Sequence, residues 1–181
     1  APAALSPLPP SASRALVRHA QTIIAPDRVV KQADYPAAEV RLWSEGFEPI
    51  LDLIRERRET PVVLLATGDP MHYGIGATLA RHFGADEMLV IPAVSAFSLA
   101  AARLGWALQD TDCISLHGRP VEKLALSLAP GRRVLAYTSN AETVREAAEL
   151  LAANGYGASR LTVLEHMGGA EERRVELSVE Q

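Results

Sequence analysis

Four segments of the sequence place small residues, in three of them glycines, beside polar or aromatic side chains directly after an apolar run. They span residues 68–76, 92–96, 117–119 and 166–169. Glycine lets the backbone approach a ligand closely, and a helix that begins after such a loop presents unpaired amides. In open α/β sheets, ligands bind just beyond the carboxyl ends of the strands. The four loops therefore predict a small-molecule binding site.

Each loop also has a purely structural interpretation. The three glycines of residues 68–76 could simply form a tight turn at positive φ. Ser95 could cap the following helix instead of contacting a ligand. A single histidine at the end of a strand, such as His117 or His166, is more often a solvated residue than a functional one.

Several familiar catalytic motifs do not fit the sequence. A dinucleotide fingerprint has the spacing Gly-x-Gly-x-x-Gly. Gly74 and Gly76 fit its first two glycines, but Leu79 occupies the position of the third. The sequence contains no Gly-Lys-Ser or Gly-Lys-Thr triplet of a Walker loop and no His or Cys pairs at the spacing of metal ligands. It also lacks the Gly-x-Ser-x-Gly motif of a nucleophile elbow. Nucleotide hydrolysis, zinc chemistry and serine hydrolysis are therefore disfavoured.

Composition restricts the partners and the compartment. A net charge of −4 gives no basic footprint for nucleic acid. The single cysteine, Cys113, excludes an internal disulfide and indicates a reducing, cytoplasmic compartment. No apolar run approaches the roughly 20 residues that a membrane helix needs, so no membrane association is expected. The start of the chain lacks Met and a leading strand, which predicts a fragment.

The apolar pattern predicts alternating strands and helices, which is typical of an α/β protein. Polar residues interrupt the alternation near Asp110, where we place a boundary between an N-terminal domain (1–110) and a C-terminal domain (111–181). Predicted strands span residues 22–25, 39–43, 61–66, 88–91, 113–116, 133–137, 161–165 and 174–179, and predicted helices span residues 11–21, 47–58, 76–83, 96–104, 121–128 and 141–154.

The loops together resemble the tetrapyrrole methylase family, whose first domain carries a Gly-Asp-Pro loop followed by an aromatic residue and a glycine. Gly68-Asp69-Pro70 and Tyr73-Gly74 match that pattern. Residues 92–100, Gly105-Trp106 and residues 115–120 and 161–169 look like the precorrin-6Y methyltransferase branch. The resemblance runs from about Ser6 almost to the end of the chain. The family's leading strand with its glycine-rich loop and its closing strand are not visible, so both ends look incomplete.

The resemblance implies two small α/β domains of the class III methyltransferase type with a cofactor cleft between them. It also implies an S-adenosylmethionine-dependent C-methyltransferase that acts on carbon 5 of a precorrin macrocycle in cobalamin biosynthesis. The implied cofactor-binding residues are Gly68, Asp69, Met71, Tyr73, Gly74, Ser95, Ala96, Tyr137, Thr138, Met167 and Gly168.

A substrate rich in carboxylates needs arginine forks, and Arg119 beside His117 is the best candidate, with Arg103 second. Alignment of an electron-rich ring carbon can supply about 7–11 kcal/mol of the barrier, so we assign no catalytic triad. Asp69, His117 or Tyr73 could take or relay a proton.

The resemblance further implies a homodimer and a fused or separate enzyme that methylates carbon 15 and removes a carboxyl group. A metal-free and a cobalt-containing ring are both compatible with the sequence, and no protein metal site is expected. Two alternatives stay open. One is a related methylase that acts on another precorrin or on a diphthine-type substrate, and the other is a non-catalytic nucleoside-binding domain.

Overall fold

The computed structural model describes residues 11–30 and 38–179. A three-stranded parallel sheet organises the first part of the chain. Strand β1 (Thr22–Ala25) lies between β2 (Glu39–Leu42) and β3 (Val62–Leu64) and is parallel to both. All four residues of β1 are buried. A central parallel strand is covered on both faces, which explains why Thr22–Ala25 is almost continuously apolar.

Helices cover this sheet on both faces. Ile23 packs with Ala20 and Val17 on one face, whereas Ile24 packs with Ile50 and Leu53 on the other. The helices are α1 (Ser11–His19), α2 (Asp27–Val30), a 3-10 turn (Trp43–Glu45), α3 (Phe47–Glu56) and α4 (Ile75–Leu79).

The second part of the chain contains two further strand pairs. Strands β4 (Asp112–Ser115) and β5 (Val134–Tyr137) are parallel, and β6 (Arg160–Glu165) pairs with β7 (Arg173–Ser178) as an antiparallel hairpin. The helices of this part are α5 (Ala96–Leu104), a 3-10 turn (Leu108–Asp110), a longer 3-10 segment (Val121–Ser127) and α6 (Ala141–Ala153).

The predicted strand at residues 88–91 is wrong. These residues form no ladder with any strand in the described part of the chain, and Leu89 is 78% exposed. An apolar run predicts burial, but a strand also requires a neighbouring backbone with which to pair. The helix predicted at residues 121–128 is a 3-10 segment, because burial of spaced apolar residues does not by itself distinguish the two helix types.

The described residues up to Ala93 form one compact unit and those from Val94 onward form a second. We call these the N-terminal and C-terminal units. This division lies before the boundary predicted at Asp110. The reason is that α5 belongs to the C-terminal unit, where its Phe97 and Ala100 pack against Leu135 of β5. The predicted cofactor cleft stays a prediction.

Candidate functional site

The loop after β3 is held by its own hydrogen bonds. The amide of Met71 donates to Asp69 Oδ1 at 2.8 Å, and the amide of His72 donates to the Asp69 carbonyl at 3.2 Å. The amide of Ala77 in α4 donates to the Pro70 carbonyl at 3.2 Å. Asp69 therefore organises the loop with both its carboxylate and its backbone carbonyl.

Two backbone features of this loop require special residues. Gly68 has φ of +71°, and Tyr73 has φ of +55° although it is not a glycine. A Cβ on Gly74 would lie 2.6 Å from the Pro70 carbonyl oxygen and 2.7 Å from that of Asp69. Residues held in such conformations cluster at functional sites, because the surrounding structure must stabilise them. The loop from Gly68 to Gly74 has this property.

The same loop exposes large side chains. Met71 is 48% exposed and Tyr73 is 43% exposed. The rings of His72 and Tyr73 stack with their centroids 5.4 Å apart. Exposed apolar and aromatic surface beside ordered backbone polar groups is the usual lining of a small-molecule site. Of the predicted cofactor residues, the N-terminal unit thus brings together Gly68, Asp69, Met71, Tyr73 and Gly74.

Ser95 has a structural role at the start of α5. Its Oγ accepts the amide of Ser98 at 3.1 Å, and the residue is only 6% exposed. The capping interpretation of Ser95 is therefore confirmed, and its contact with a cofactor stays a prediction. Ser95 and Ala96 also lie in the C-terminal unit, not in the first domain as predicted.

The ends of β4 and β5 meet at one edge of their sheet. The amide of Leu116 donates to the Tyr137 carbonyl at 2.8 Å, and the amide of Gly118 donates to Ser139 Oγ at 3.3 Å. Parallel strands end at the same edge of a sheet, so these bonds tie residues 117–119 to residues 137–139. The predicted residues His117, Arg119 and Thr138 are all exposed there.

Tyr137 and Met167 belong to one apolar cluster with α5. The ring of Tyr137 stacks on Phe97 with the centroids 3.9 Å apart. Met167, which follows β6, packs against the same cluster as Phe97 and Leu135. The C-terminal unit therefore brings the start of α5, the end of β5 and the turn after β6 into contact.

The turn between β6 and β7 is fixed by a glutamate that the sequence analysis missed. Glu172 accepts Arg103 Nε at 2.6 Å through Oε1, and it accepts Arg103 Nη2 at 2.8 Å and the Gly168 amide at 2.7 Å through Oε2. These bonds, those from Arg103 first, lower the pKa of the Glu172 carboxyl from 4.5 to about 2. The partners are distant in sequence, so no local pattern could reveal them.

The guanidinium of Arg103 is engaged by a carboxylate of the protein itself. The sequence assigned its guanidinium to the carboxylates of a substrate, whereas the structure engages that guanidinium in a bidentate pair with Glu172. Both donors of the fork face Glu172 in this arrangement, so the assignment of Arg103 to the substrate stays a prediction. Arg119 and His117 are the other predicted substrate residues.

Cys113 and possible metal ligands are further reactive groups in the described part of the chain. Burial raises the pKa of the Cys113 thiol, and Asp112 adds to the effect, so the thiolate is disfavoured. In the described ranges, no three His, Cys, Asp or Glu side chains are grouped so that they could hold a metal ion. Those ranges also hold no helix with the length and apolarity that a membrane span demands.

Comparison with solved structures identifies the fold. A cobalamin biosynthesis precorrin-6Y methylase from Archaeoglobus fulgidus superposes with a TM-score of 0.72 at 24% identity, covering 98% of this chain and 86% of the other. A uroporphyrin-III C-methyl transferase from Thermus thermophilus, complexed with S-adenosylhomocysteine, gives a TM-score of 0.65 at 24% identity and covers 94% and 77%. The fold is that of these α/β methyltransferases.

The family model described as Tetrapyrrole (Corrin/Porphyrin) Methylases matches residues 4–181. The chain belongs to this family. A decarboxylating precorrin-6Y C(5,15)-methyltransferase from Sinorhizobium sp is 50% identical over 135 residues, which are 75% of this chain and 33% of the relative. A cobalt-precorrin-7 C(5)-methyltransferase from Salmonella typhimurium is 34% identical over 143 residues, covering 78% of this chain and 70% of the relative. The chain spans about a third or less of the first curated relatives that it matches.

Proposed function

We propose that the protein transfers a methyl group from S-adenosylmethionine to carbon 5 of a precorrin macrocycle in cobalamin biosynthesis. The observation that carries this proposal is the pair of curated relatives. One is named for carbons 5 and 15 and the other for carbon 5 alone, and the chain covers 33% of the former and 70% of the latter. Carbon 5 is the position that both names share.

The loop after β3 fits S-adenosylmethionine. The absence of a side chain at Gly74 allows the loop to pack against the carbonyls of Asp69 and Pro70. The exposed Met71 and Tyr73 offer apolar and aromatic surface, and the face of a tyrosine ring also attracts a cationic group. When bound, the cofactor supplies a methyl group on a positively charged sulfur. Gly68, Asp69, Met71, Tyr73 and Gly74 would hold it from the N-terminal unit.

The C-terminal unit supplies the other predicted cofactor residues, which lie around the cluster of Phe97, Tyr137 and Met167. The cluster orders the backbone at the start of α5 and at the ends of β5 and β6. A backbone that is already ordered loses less conformational entropy when the ligand binds, so binding costs less free energy. We assign to this set Ser95, Ala96, Tyr137, Thr138, Met167 and Gly168.

His117 and Arg119 are proposed to bind carboxylates of the macrocycle. Both residues are exposed, and the bond from Gly118 to Ser139 holds the turn that carries them. An arginine fork binds a carboxylate with two parallel hydrogen bonds, which fixes the orientation of the ring. The chain's part in catalysis is then mainly alignment, with Asp69, His117 or Tyr73 as candidates to take or relay a proton.

The longer relatives support a proposal about partners. The chain matches only 33% of a relative whose name includes carbon 15 and decarboxylation. We infer that the carbon-15 methylation and decarboxylation are performed by a fused or separate partner. A homodimer and a cytoplasmic location stay predictions.

Calorimetric titration of the full-length protein with S-adenosylhomocysteine tests the cofactor assignment. We expect saturable binding that Gly68→Val and Asp69→Ala each abolish or weaken strongly, because the first adds a branched side chain at φ of +71° and the second removes the acceptor for the Met71 amide. No binding by the unsubstituted protein would contradict the proposal and favour a non-catalytic domain.

A further inference from the structure

The turn between β6 and β7 is built around one carboxylate. Backbone bonds close the turn on itself, from the Gly169 amide to the His166 carbonyl at 2.9 Å and from the Glu172 amide to the Gly169 carbonyl at 3.2 Å. His166 has φ of +49° and Gly168 has φ of +80°. The Glu172 carboxylate then accepts the Gly168 amide at 2.7 Å.

Glu172 is itself fixed from outside the turn. Arg103, in the last turn of α5, donates to both oxygens of the carboxylate, at 2.6 Å and 2.8 Å. A second link joins the same elements, because Arg174 Nη1 donates to the Arg103 carbonyl at 3.5 Å. The bidentate geometry orients the carboxylate plane, so that Oε2 meets the Gly168 amide.

The position of this network connects it to the candidate cofactor residues. Met167 packs against the cluster that contains Phe97 and Tyr137, and Gly168 follows directly. Helix α5, whose first residue is Ala96, ends at Leu104 beside Arg103. The first residue of α5, Ala96, is therefore a predicted cofactor residue. Arg103, near the other end of α5, holds the turn that contains the predicted cofactor residues Met167 and Gly168.

We propose that Arg103 and Glu172 are positioning residues that fix the backbone of Met167 and Gly168 for binding of S-adenosylmethionine. This inference rests on the proposed function. Neither residue needs to contact the ligand, because Glu172 acts through the Gly168 amide and Arg103 acts through Glu172. The pair thus performs for this turn what Asp69 performs for the loop after β3, namely the ordering of backbone around a carboxylate.

Substitution of Glu172 tests the proposal in the full-length protein. Glu172→Ala removes the acceptor for Gly168, and we expect S-adenosylhomocysteine to bind about tenfold more weakly by calorimetry, because ligand binding must then order the turn. Hydrogen exchange at the Gly168 amide, measured by NMR without ligand, should accelerate. In turnover, KM for S-adenosylmethionine should rise while kcat changes little.

Glu176→Ala is the matched control. It removes another arginine–glutamate pair of the C-terminal unit, that of Arg174 with Glu176 in β7, but it leaves the Gly168 amide bonded to Glu172. We expect its affinity and its Gly168 exchange to equal those of the unsubstituted protein. Equal affinity in Glu172→Ala and Glu176→Ala would overturn the proposal.

A charge reversal separates the amide bond from the ion pair. Arg103→Glu combined with Glu172→Arg can restore an ion pair, but arginine has no acceptor for the Gly168 amide. We expect affinity to stay at the level of Glu172→Ala, and full recovery would overturn the positioning role. If the unsubstituted protein failed to bind S-adenosylhomocysteine, the proposed function would fail. If that protein did not bind the ligand but Gly168 exchange still accelerated in Glu172→Ala, Glu172 would order the turn without a role in cofactor binding.

Discussion

Gly74 shows how a single residue can determine the conformation of the loop after β3. Its φ of −104° is open to any amino acid, so conformational freedom is not the reason for glycine there. The reason is space, because a Cβ would lie within 2.8 Å of three backbone atoms of Asp69 and Pro70. Backbone atoms cannot move aside without opening the loop. The sequence pattern located this glycine, and the structure explains its role.

Gly74→Ala should therefore weaken both the fold and cofactor binding. We expect a loss of about 1–3 kcal/mol in the free energy of unfolding, the typical effect of overpacking, together with loss of S-adenosylhomocysteine binding. Urea unfolding and calorimetry measure the two effects. Gly84→Ala is the control, since the added Cβ would meet mainly the flexible carboxylate of Asp86. If the two variants behaved alike, the role assigned to the loop would be contradicted.

The lowered pKa of Glu172 gives a pH dependence with a defined sign. The carboxyl has a pKa of about 2 in the folded protein and 4.5 ordinarily, so the charged form stabilises the fold above pH 4.5. That contribution decreases as pH falls from 4.5 towards 2. The difference in unfolding free energy between the unsubstituted protein and Glu172→Gln should be constant from pH 8 to about pH 5 and shrink below it. Urea titrations at several pH values measure this difference, and a change near pH 7 would contradict the assignment.

Helices and strands with strong local signals were predicted well from the sequence. The strand at Thr22–Ala25 and the helix at Ala96–Leu104 match the prediction residue for residue. Gly105 ends that helix at φ of +66°, as a C-terminal glycine commonly does. The strand predicted at residues 88–91 failed because pairing depends on a neighbouring backbone, which apolar composition does not specify.

Ser95→Ala tests the start of α5 as an element. Ser95 is buried and caps the helix, so its loss should reduce the unfolding free energy by about 1–2 kcal/mol. Asn140→Ala removes an exposed cap from α6, where we expect about 0.5–1 kcal/mol. Urea unfolding of both variants measures the difference. A larger loss in Asn140→Ala would contradict the importance given to the first turn of α5.

At the scale of the whole molecule, the two units each have their own apolar clusters. The clusters around Ile23, Ile24 and Leu51 lie in the N-terminal unit, and those around Phe97 and Leu116 lie in the C-terminal unit. The sequence predicted two α/β parts but placed α5 in the first, because a polar stretch near Asp110 resembled a linker. Packing of Phe97 on Tyr137 is a tertiary contact that no linker signal could predict.

Some features of the candidate site depend on neighbouring residues and others depend on residues far apart in the chain. Glycines, caps and strand ends were visible in the sequence, because each depends on neighbouring residues. The pairing of Arg103 with Glu172 was not visible, because the two residues are far apart in the chain and meet only when α5 packs beside the β6–β7 hairpin. Sequence patterns therefore located the glycines and caps, whereas the long-range pair that holds the β6–β7 turn required the structure.

Transfer of a labelled methyl group identifies the carbon on which the protein acts. The protein is incubated with a precorrin macrocycle unmethylated at carbon 5 and with S-adenosylmethionine that carries carbon-13 in its methyl group. NMR of the product identifies the carbon that receives the label. We expect the label at carbon 5 and none at carbon 15, with no transfer by Gly74→Ala. Label at another ring carbon, or none from protein that binds S-adenosylhomocysteine, would contradict the assigned activity.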